Sequence, residues 1–452
     1  MDVLELEQYR GDRFSLEEID RVFEKQQARR LAVAETGARE RKQKIRRLHD
    51  ALLSRRDEIR QALWDDYRKP PAEVDLSEIF PVLAEARHAM RQVRSWTRPR
   101  RVPAPLALLG SRSRVVYEPK GVVLIISPWN FPINLTLGPL VSAIAAGNCA
   151  ILKPSEMTPH ASACMQRLLR DLFDESEVAV IEGDARVAEA LLKKKFDHIF
   201  FTGSPAVGKI VMRAAAEHLT SVTLELGGKS PVIVDRTGDL DEAAKKIAWG
   251  KSLNSGQVCI APDYILVDEN VRAPFLEKLR AMPATQTSLL INERHAARIS
   301  RLAQGATPGG RNIPLTILED VLPDEEIFGP LLPVISYRDL DEALRIVNDR
   351  EKPLVLYLFS RDRRVINRVL QRTRAGGTVV NDTLVHFYQV NLPFGGVGES
   401  GFGKAHGRWG FEAFSNARAV LEQPTRFSMI QLLYPPYTAF KQKLIDFTLR
   451  YL

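Results

Sequence analysis

The chain has 452 residues, of which 45% are hydrophobic and 27% are charged, a balance typical of soluble globular proteins. Because one domain rarely exceeds about 250 residues, we expect two or three lobes. The net charge of +8 comes from Lys and Arg residues mixed with Asp and Glu. No motif that reads DNA or RNA is present, so nucleic acid is not expected as a partner.

The cysteine count and the N-terminal sequence indicate the cellular compartment in which the protein is expected. Cys149, Cys164 and Cys259 are too few for a disulfide framework and indicate a reducing environment. No His or Cys cluster has ligand spacing, so no metal is predicted. The acidic N-terminus lacks the apolar core of a signal peptide, and no apolar run reaches the roughly 18–20 residues that cross a bilayer. These features predict a cytoplasmic protein.

The N-terminal third is predicted to be helical. Ser15 and Glu18 form a capping-box pattern that indicates a helix start. The two prolines at 70–71 end this helical run, because proline cannot continue a helix interior. A further helix is predicted over 75–96, and we interpret these helices as structural covering.

An irregular stretch and two strands follow. Residues 98–113 are rich in Pro, Arg and Leu and fit no helix, whereas the β-branched residues of 114–118 predict a strand. The apolar run at 121–127 predicts a strand buried on both faces of a parallel sheet. The prolines that follow break this strand before a helix expected near Ile133. Asn130 therefore lies at the carboxyl end of a strand, where open α/β sheets bind ligands.

The next predicted strand, 148–152, leads into Lys153 and Glu156. An ammonium and a carboxylate at a strand end can both bond hydroxyl groups of a ligand, so these two residues are candidate ligand-binding residues. The alternative is a surface ion pair near a helix start.

A third predicted strand, 196–201, is followed by a glycine-bounded turn at 202–208 that opens a helix. Such a turn offers backbone amides and the positive end of the helix dipole to an anion. It is not the G-x-G-x-x-G fingerprint, so an ordinary strand–helix turn stays open as the alternative.

Cys259 is the candidate nucleophile, in a polar, turn-like stretch that follows Gly256. A lone cysteine is more often a small buried hydrophobe, because reactivity requires a lowered pKa and partial exposure. Glu225 follows a strand predicted over 221–224 and lies close to two glycines. Without Cys259 and Asn130, it would be interpreted as a solvated strand-end carboxylate.

Four stretches occur in a fixed order: P-W-N-F-P at 128–132, E-L-G-G-K-S-P at 225–231, G-Q-V-C at 256–259 and E-E-I-F-G-P at 325–330. On these stretches the chain resembles the aldehyde dehydrogenase superfamily over nearly its whole length, from about Arg41 to Ser415. The residues after Cys259 and the L-P-F-G-G-V-G run at 392–398 are similar to its shorter class-3-like subgroup. That subgroup contains fatty-aldehyde and coniferyl-aldehyde dehydrogenases.

The resemblance implies an α/β fold with a Rossmann-like cofactor domain, an α/β catalytic domain and a small β oligomerisation arm. It also implies a homodimer. The implied NAD(P)-binding domain is 1–97 and 118–224, the catalytic domain is 225–395, the oligomerisation or bridging segments are 98–117 and 396–426, and an amphipathic tail is 427–452.

The resemblance further implies the chemistry. The Cys259 thiolate attacks the aldehyde carbonyl, and the Asn130 amide and the Cys259 backbone N–H hold the resulting oxyanion. After hydride transfer to the nicotinamide, water activated by Glu225 hydrolyses the thioester to the acid. Glu326 is implied to hold the nicotinamide ribose, and it is the second candidate for the base.

The implied cofactor is NAD or NADP. Its predicted binding residues are Trp129, Lys153, Glu156, Gly203, Ser204, Val207, Gly208, Leu226, Glu326 and Phe328. Glu156 mildly disfavours a 2′-phosphate, although the resembled subgroup often accepts both cofactors.

The implied substrate is a hydrophobic aldehyde, either aromatic or medium- to long-chain aliphatic. Two alternatives stay open: a CoA-acylating dehydrogenase, against which Glu225 speaks, and a non-catalytic binding or structural protein that keeps the fold. The interval 281–326 is shorter than the family norm, and 305–312 replaces an expected helix and strand. This loop is expected to border the substrate mouth.

The C-terminal tail is predicted to form an amphipathic helix. Phe440, Leu444, Phe447 and Tyr451 are spaced to share one face of that helix. The favoured interpretation is packing on the body, on a partner subunit or over the substrate funnel. Contact with a membrane surface is the alternative.

Overall fold

The computed structural model describes residues 16–283, 288–305, 307, 309–426 and 428–451. Its strands are β1 Arg100–Val102, β2 Arg112–Pro119, β3 Val122–Ile126, β4 Cys149–Lys153, β5 Val178–Val180, β6 His198–Gly203, β7 Ser221–Leu226, β8 Pro231–Val234, β9 Tyr264–Asp268, β10 Thr316–Glu319, β11 Leu331–Tyr337, β12 Val355–Phe359, β13 Gly377–Val380, β14 Gly401–Phe402 and β15 Ser415–Glu422.

The helices alternate with these strands through most of the chain. They are α1 Leu16–Ala34, α2 Ala38–Ser54, α3 Arg56–Tyr67, α4 Pro71–Val74, α5 Phe80–Trp96, α6 Asn134–Ala146, α7 Pro159–Leu172, α8 Ala185–Leu192, α9 Pro205–Ala216, α10 Leu240–Ser252, α11 Arg272–Arg280, α12 Glu293–Leu302, α13 Leu340–Asn348, α14 Arg363–Arg372, α15 Gly407–Ala413 and α16 Ala439–Tyr451. A π-helical turn, Asp75–Ile79, joins α4 to α5.

The first sheet has the strand order β14-β7-β6-β3-β4-β5, and every pair is parallel except β14 with β7. All five residues of β3 are buried, because successive side chains point to opposite faces and both faces are covered. Val123 and Ile125 pack with α2, α5, α6 and α7, whereas Val122 and Leu124 pack with α1, α8 and α9. This is the doubly wound arrangement expected for a Rossmann-like domain.

The second sheet, of order β10-β11-β9-β8-β12-β13, is parallel throughout. Helices α10 and α11 cover one face, where Ile247 and Phe275 are buried. Helices α13 and α14 cover the other face through Leu344 and Val369. The stretch that carries Cys259 connects α10 on one face to strand β9 in the middle of the sheet.

A third, antiparallel sheet of order β1-β2-β15 joins residues far apart in the chain. Its edge strand β1 is exposed throughout, and most of β15 is exposed. The strand predicted at 114–118 is longer than expected, since β2 runs over Arg112–Pro119. The stretch that was expected to be irregular contains β1 and a short 3-10 turn at Leu106–Leu108, because β1 finds a partner in β2.

Strand β7 continues through Glu225 and Leu226, two residues beyond its predicted end. These residues pair with Thr202 and Gly203 of β6 on one side, and Glu225 pairs with Gly401 of β14 on the other. The boundary predicted between 224 and 225 therefore falls inside a strand of the first sheet, and part of the predicted bridging segment 396–426 completes that sheet.

The N-terminal helices follow the prediction with small differences. Helix α1 begins at Leu16, and the predicted cap at Ser15 lies outside the described residues. The predicted helix over 75–96 forms as the π-helical turn followed by α5. Helix α6 begins at Asn134, one residue after its predicted start.

Helix α16 forms where the tail was predicted to be helical, but its apolar face stays largely uncovered within this chain. Phe440 is 73% exposed, Phe447 is 54% exposed and Tyr451 is 62% exposed. These three side chains therefore do not pack on the body of the same subunit. No helix in the described part of the chain combines the length and apolarity that a membrane span requires.

Candidate active site

Cys259 follows a tight loop whose backbone is held in an uncommon conformation. Asn254, Ser255 and Gly256 have φ values of 50°, 54° and 70°, three consecutive residues in the left-handed region. A Cβ at Gly256 would lie 2.3 Å from the carbonyl oxygen of Gly329, so only glycine fits there. Such a conformation persists only where the surroundings hold it in place.

Buried hydrogen bonds hold this loop. The Asn254 side chain donates to the backbone oxygens of Asn130 at 3.0 Å and Gln257 at 3.2 Å. The Gln257 side-chain oxygen accepts from the Ile291 amide at 2.9 Å. The Tyr357 hydroxyl donates to the Ile260 carbonyl at 2.6 Å. These bonds fix the main chain on both sides of the thiol.

Asn130 lies beside this loop at the end of β3. Its backbone carbonyl also accepts from the Tyr67 hydroxyl at 2.9 Å. Its side-chain amide is 2% exposed and donates to the Gln257 carbonyl at 3.0 Å. Since an amide nitrogen carries two N–H groups, one donor stays free for a ligand in the cleft that Asn130 lines.

The Cys259 thiol is half-buried. Burial, and then the negative charges of Glu326 and Glu225, raise the pKa of this thiol to about 12. The backbone N–H groups of Cys259 and Ile260 act in the opposite direction, because they point towards the sulfur. The thiol is therefore protonated at neutral pH, and a base has to accept its proton before it can attack.

Glu225 supplies a buried carboxyl to the site. The side chain is 6% exposed, and neither carboxyl oxygen has a hydrogen-bond partner among the described residues. Burial raises the pKa of Glu225 to about 8, against a smaller lowering by the Lys404 charge. A carboxyl of this kind is partly ionised near neutral pH and can accept and release protons there.

Glu326 is the second carboxyl of the site. Burial and the charge of Asp263 raise its pKa to about 8, against the effect of a hydrogen bond from the Gly228 amide. A Cβ on Gly227 would lie 2.3 Å from Glu326 Oε2, so the carboxylate depends on the absence of a side chain at 227. Glu326 lines the same cleft as Asn130 and Cys259.

That cleft encloses about 820 Å³ between the ends of the two large sheets. Five of the predicted cofactor residues line it: Trp129, Gly203, Ser204, Glu326 and Phe328. Ser204 caps helix α9, and its hydroxyl accepts from the Val207 amide at 3.4 Å. The Trp129 ring packs edge-on against Phe328 at 5.5 Å between centroids. A helix N-terminus and an aromatic rim suit a dinucleotide.

The other predicted cofactor residues are not among those that line this cleft. Lys153 is 4% exposed and pairs with Glu156 at 2.8 Å, at the end of β4. Val207 is 43% exposed on the first turn of α9. Gly208 packs under the Leu226 side chain, and Leu226 lines a second cavity and is not among the residues that line the cleft.

This second space is here called the apolar cavity, and Cys259 and Glu225 lie in the wall that it shares with the cleft. Its other lining residues include Pro81, Glu85, Leu135, Phe387, Phe394 and His406. A mostly apolar lining of this kind suits the apolar part of a small ligand.

The segment 305–312 was expected to border the substrate mouth, but its described residues do not line the apolar cavity. The Arg311 side chain instead donates to the carbonyls of Leu290 at 2.7 Å and Ile291 at 3.0 Å. The shortened interval also keeps a helix and a strand, α12 and β10.

The sequence did not reveal several residues of the site. Lys404 donates to the carbonyls of Gly395 and Gly396 and places its charge near Glu225. Tyr67 and Asn254 position Asn130, while Glu85 and His406 enter the apolar cavity. These residues reach the site from distant parts of the chain, and the local sequence carries no signal for that.

A half-buried thiol lies where an apolar cavity and a cleft with a helix N-terminus meet, with a buried carboxyl in the same wall. This arrangement is compatible with a dehydrogenase that acts through a cysteine. The family model for the aldehyde dehydrogenase family matches residues 8–420. The chain belongs to the aldehyde dehydrogenase family.

Relatives of known name support this assignment. The 4,4′-diaponeurosporen-aldehyde dehydrogenase of Staphylococcus aureus is 41% identical over 88% of this chain and 92% of that protein. The dimeric NADP-preferring aldehyde dehydrogenase of Mus musculus is 43% identical over 84% of this chain and 89% of that protein. The solved structure of Staphylococcus aureus AldH in a substrate-bound state is 38% identical, with a TM-score of 0.90, and covers 95% of this chain and 99% of that chain.

These matches confirm the predicted fold and the predicted enzyme class. The protein is an aldehyde dehydrogenase that oxidises an aldehyde with NAD or NADP.

Proposed function

We propose that the protein oxidises a hydrophobic aldehyde, aromatic or medium- to long-chain aliphatic, to its carboxylic acid, with Cys259 as the nucleophile. The observation that carries this proposal is that Cys259 stands where the apolar cavity meets the cleft. An aldehyde in the cavity would present its carbonyl carbon to the sulfur, and the cleft would bring the nicotinamide to the same carbon. The name of the Staphylococcus aureus relative, a diaponeurosporen-aldehyde dehydrogenase, supports this class of substrate.

In the first step, the Cys259 sulfur forms a bond to the carbonyl carbon while the thiol proton passes to a carboxylate. The carbonyl oxygen becomes an oxyanion, which accepts from the free N–H of the Asn130 amide and from the Cys259 backbone N–H. Removing one donor from such a site costs about 2.7–4 kcal/mol of transition-state stabilisation. When bound in the cleft, the nicotinamide would supply the hydride acceptor, and the acyl group would then be left on the Cys259 sulfur as a thioester.

In the second step, Glu225 takes a proton from a water molecule, and the water oxygen attacks the thioester carbon. The carbon–sulfur bond breaks, the acid leaves, and Cys259 regains its proton. We assign Glu225 this role because both of its carboxyl oxygens are free of partners within the described part of the chain. Glu326, with a raised pKa in the same cleft, is the second candidate for the base.

For the cofactor, we propose that Gly203 and Ser204 lie near the pyrophosphate and that Lys153 and Glu156 bond the adenosine ribose. Val207, Gly208 and Leu226 shape the turn that carries these groups. Glu326 would hold the nicotinamide ribose, with Trp129 and Phe328 beside the ring. The Lys153–Glu156 pair at 2.8 Å leaves a carboxylate near the ribose, which disfavours a 2′-phosphate without excluding NADP.

For assembly and location, we propose a cytoplasmic homodimer. The exposed third sheet, with edge strands β1 and β15, offers backbone groups for pairing with a second copy. The exposed apolar face of α16 is a further candidate for contact with a partner subunit or a membrane surface. The name of the Mus musculus relative describes that protein as dimeric.

The test is a steady-state assay with aliphatic and aromatic aldehydes, each with NAD and with NADP, in the presence and absence of CoA. We expect turnover without CoA and the carboxylic acid as product. Cys259→Ala is expected to abolish turnover while the cofactor still quenches protein fluorescence, since Trp129 lies in the cleft. A strict requirement for CoA, or no turnover of any aldehyde by the wild-type protein, would contradict the proposal.

A further inference from the structure

Glu85 places a carboxyl group in the wall of the apolar cavity. It lies on α5, and its side chain is 6% exposed. Its Oε1 accepts a hydrogen bond from the Gly407 amide at 2.7 Å. Its second oxygen has no partner among the described residues, and Glu85 is one of the few charged residues that line this cavity. The steps proposed above give this residue no role.

His406 and Ser142 are two of the other polar residues that line the same cavity. His406 precedes the glycine whose amide binds Glu85, and its ring stacks on Phe394 at 4.9 Å between centroids. Its Nδ1 is buried without a hydrogen-bond partner in the described part of the chain. Ser142, on α6, contributes a hydroxyl group. The cavity therefore contains polar groups besides those around Cys259.

A buried carboxyl with one hydrogen bond is costly, because it loses most of its hydration without replacement. A ligand group that hydrogen-bonds its second oxygen would offset part of this cost. The chemistry favours a neutral hydroxyl, since burial raises the pKa of Glu85 to about 7 and both of its protonation states are populated near neutral pH. A hydroxyl can donate to the ionised form and accept from the protonated form. An ammonium suits only the ionised form and would lose its own hydration in apolar surroundings.

We propose that Glu85 is a specificity-determining residue that binds a hydroxyl group carried by the substrate at a position remote from its aldehyde. This inference rests on the proposed function, because it takes Cys259 as the place where the carbonyl reacts. The preferred substrate class is then a hydrophobic aldehyde with a distal hydroxyl. His406 and Ser142 complete the polar surroundings of that hydroxyl.

The test compares straight-chain aldehydes of increasing length with their counterparts that carry a hydroxyl at the far end. For each pair, kcat/KM is measured with the wild-type protein, Glu85→Gln and Glu85→Leu. At the chain length that reaches Glu85, the wild type is expected to prefer the hydroxylated aldehyde by roughly tenfold or more, the usual effect of a hydrogen bond to a charged group. The preference is expected to disappear in Glu85→Leu and to persist in reduced form in Glu85→Gln, whose amide still donates and accepts.

The matched control is Glu412→Gln, whose carboxylate binds Arg408 at 2.7 Å and does not line the cavity. This control is expected to keep the wild-type preference. The measured quantity is the ratio of kcat/KM for the hydroxylated and the plain aldehyde, so a variant that folds in reduced yield can still be compared with the wild type. If Glu85→Leu does not fold, Glu85→Gln takes its place in the comparison. No preference in the wild type at any length, or an unchanged preference in the Glu85 variants, overturns the inference while the oxidation of both aldehydes stands. Failure to oxidise either aldehyde would instead overturn the proposed function.

Discussion

Glu225 and Cys259 lie in a site that opposes charge on both. The pKa of Glu225 is raised to about 8 and that of Cys259 to about 12, and burial is the largest cause in each case. A neutral thiol and a partly protonated carboxyl make a resting pair with little negative charge. Each catalytic step therefore depends on the small ionised fraction of one of them, and that fraction grows with pH.

Replacing Glu225 by glutamine tests its role as the base for hydrolysis. We expect the Glu225→Gln variant to produce a burst of reduced cofactor close to one equivalent and then to turn over slowly, because hydrolysis of the thioester lacks its base. General-base catalysis contributes about 10²–10⁴-fold, so kcat is expected to fall within that range. Stopped-flow absorbance of the reduced nicotinamide measures both phases.

The pH profile separates Glu225 from Glu326. In the wild type, kcat limited by hydrolysis is expected to rise with pH and to level off above about 8, because the base acts only when ionised and its pKa is about 8. In Glu225→Gln this rise is expected to be absent. A variant that kept the same rise would move the base to Glu326, whereas loss of the burst as well would show that Glu225 also acts in the first step.

Gly227 tests the position of Glu326. An added Cβ at 227 would lie 2.3 Å from Glu326 Oε2, so Gly227→Ala is expected to displace this carboxylate and to raise KM for the cofactor. Gly228→Ala is the matched control, since its nearest neighbour, the Leu354 backbone nitrogen, would be 3.4 Å away. Initial rates over a range of cofactor concentrations make the comparison. Equal KM values in the two variants would argue against a role for Glu326 in cofactor binding.

At the scale of elements, the N-terminal helices position the strand end that carries Asn130. Lys69 and Glu78 form an ion pair of 2.7 Å in which both side chains are fully buried. The other oxygen of Glu78 accepts from the amides of Ile133 and Asn134 and so satisfies the first turn of α6. The Lys69 ammonium lies 4.0 Å from the centre of the Phe131 ring. The N-terminal segments that we interpret from the sequence as structural covering therefore also support the segment that carries Asn130, the proposed oxyanion donor.

This pair gives a prediction about stability. Lys69→Met leaves Glu78 as an unpaired buried carboxyl, and Glu78→Gln leaves Lys69 as an unpaired buried ammonium. Each single variant is expected to lose about 3–5 kcal/mol of unfolding free energy. The double variant is expected to lose clearly less than the sum of the two, because neither charge is then left alone. Urea denaturation of the four proteins gives the coupling, and strictly additive losses would show that the pair is not coupled.

The elements predicted with most success are those whose signal is local. Strand β3 and helix α6 are marked by a continuous apolar run and by the prolines between them, and both form within a residue or two of the expected bounds. Strand β7 extends beyond its predicted end where Gly401 and Phe402 pair with it. The sequence near residue 225 does not indicate that this strand pairs with residues about 175 positions later. Lys404 lies near Glu225 for the same reason, since it follows the strand β14 that pairs with β7. Resemblance to a family indicated Asn130, Glu225, Cys259 and Glu326, which the structure brings together at one cleft, but it did not indicate Glu85 in the apolar cavity.

At the scale of the whole molecule, the active site is expected to lower stability at alkaline pH. The ordinary pKa of a glutamate is 4.5, and Glu225 in the folded protein has a pKa of about 8. Between these values the unfolded chain ionises while the folded protein holds its proton. Stability therefore falls as pH rises through this interval and levels off above about 8. Glu326, whose pKa is also about 8, adds to the same trend.

Glu225→Gln is accordingly expected to be more stable than the wild type at pH 8, by on the order of a few kcal/mol, and to differ little near pH 4.5. Urea unfolding of both proteins at several pH values measures the difference. Glu412→Gln, whose carboxylate lies outside the site, is expected to follow the wild type. A constant difference at all pH values would show that burial of Glu225 is not its cause.

The protonated state of Cys259 also has a practical consequence for handling and inhibition. Iodoacetamide and peroxides react with thiolates, so they are expected to modify this sulfur slowly in the resting protein. Purified samples are therefore expected to keep their activity during storage in air. A covalent inhibitor built on an alkylating group would therefore need an apolar portion that binds in the apolar cavity. The alkylating group alone would react slowly, because the thiol is protonated.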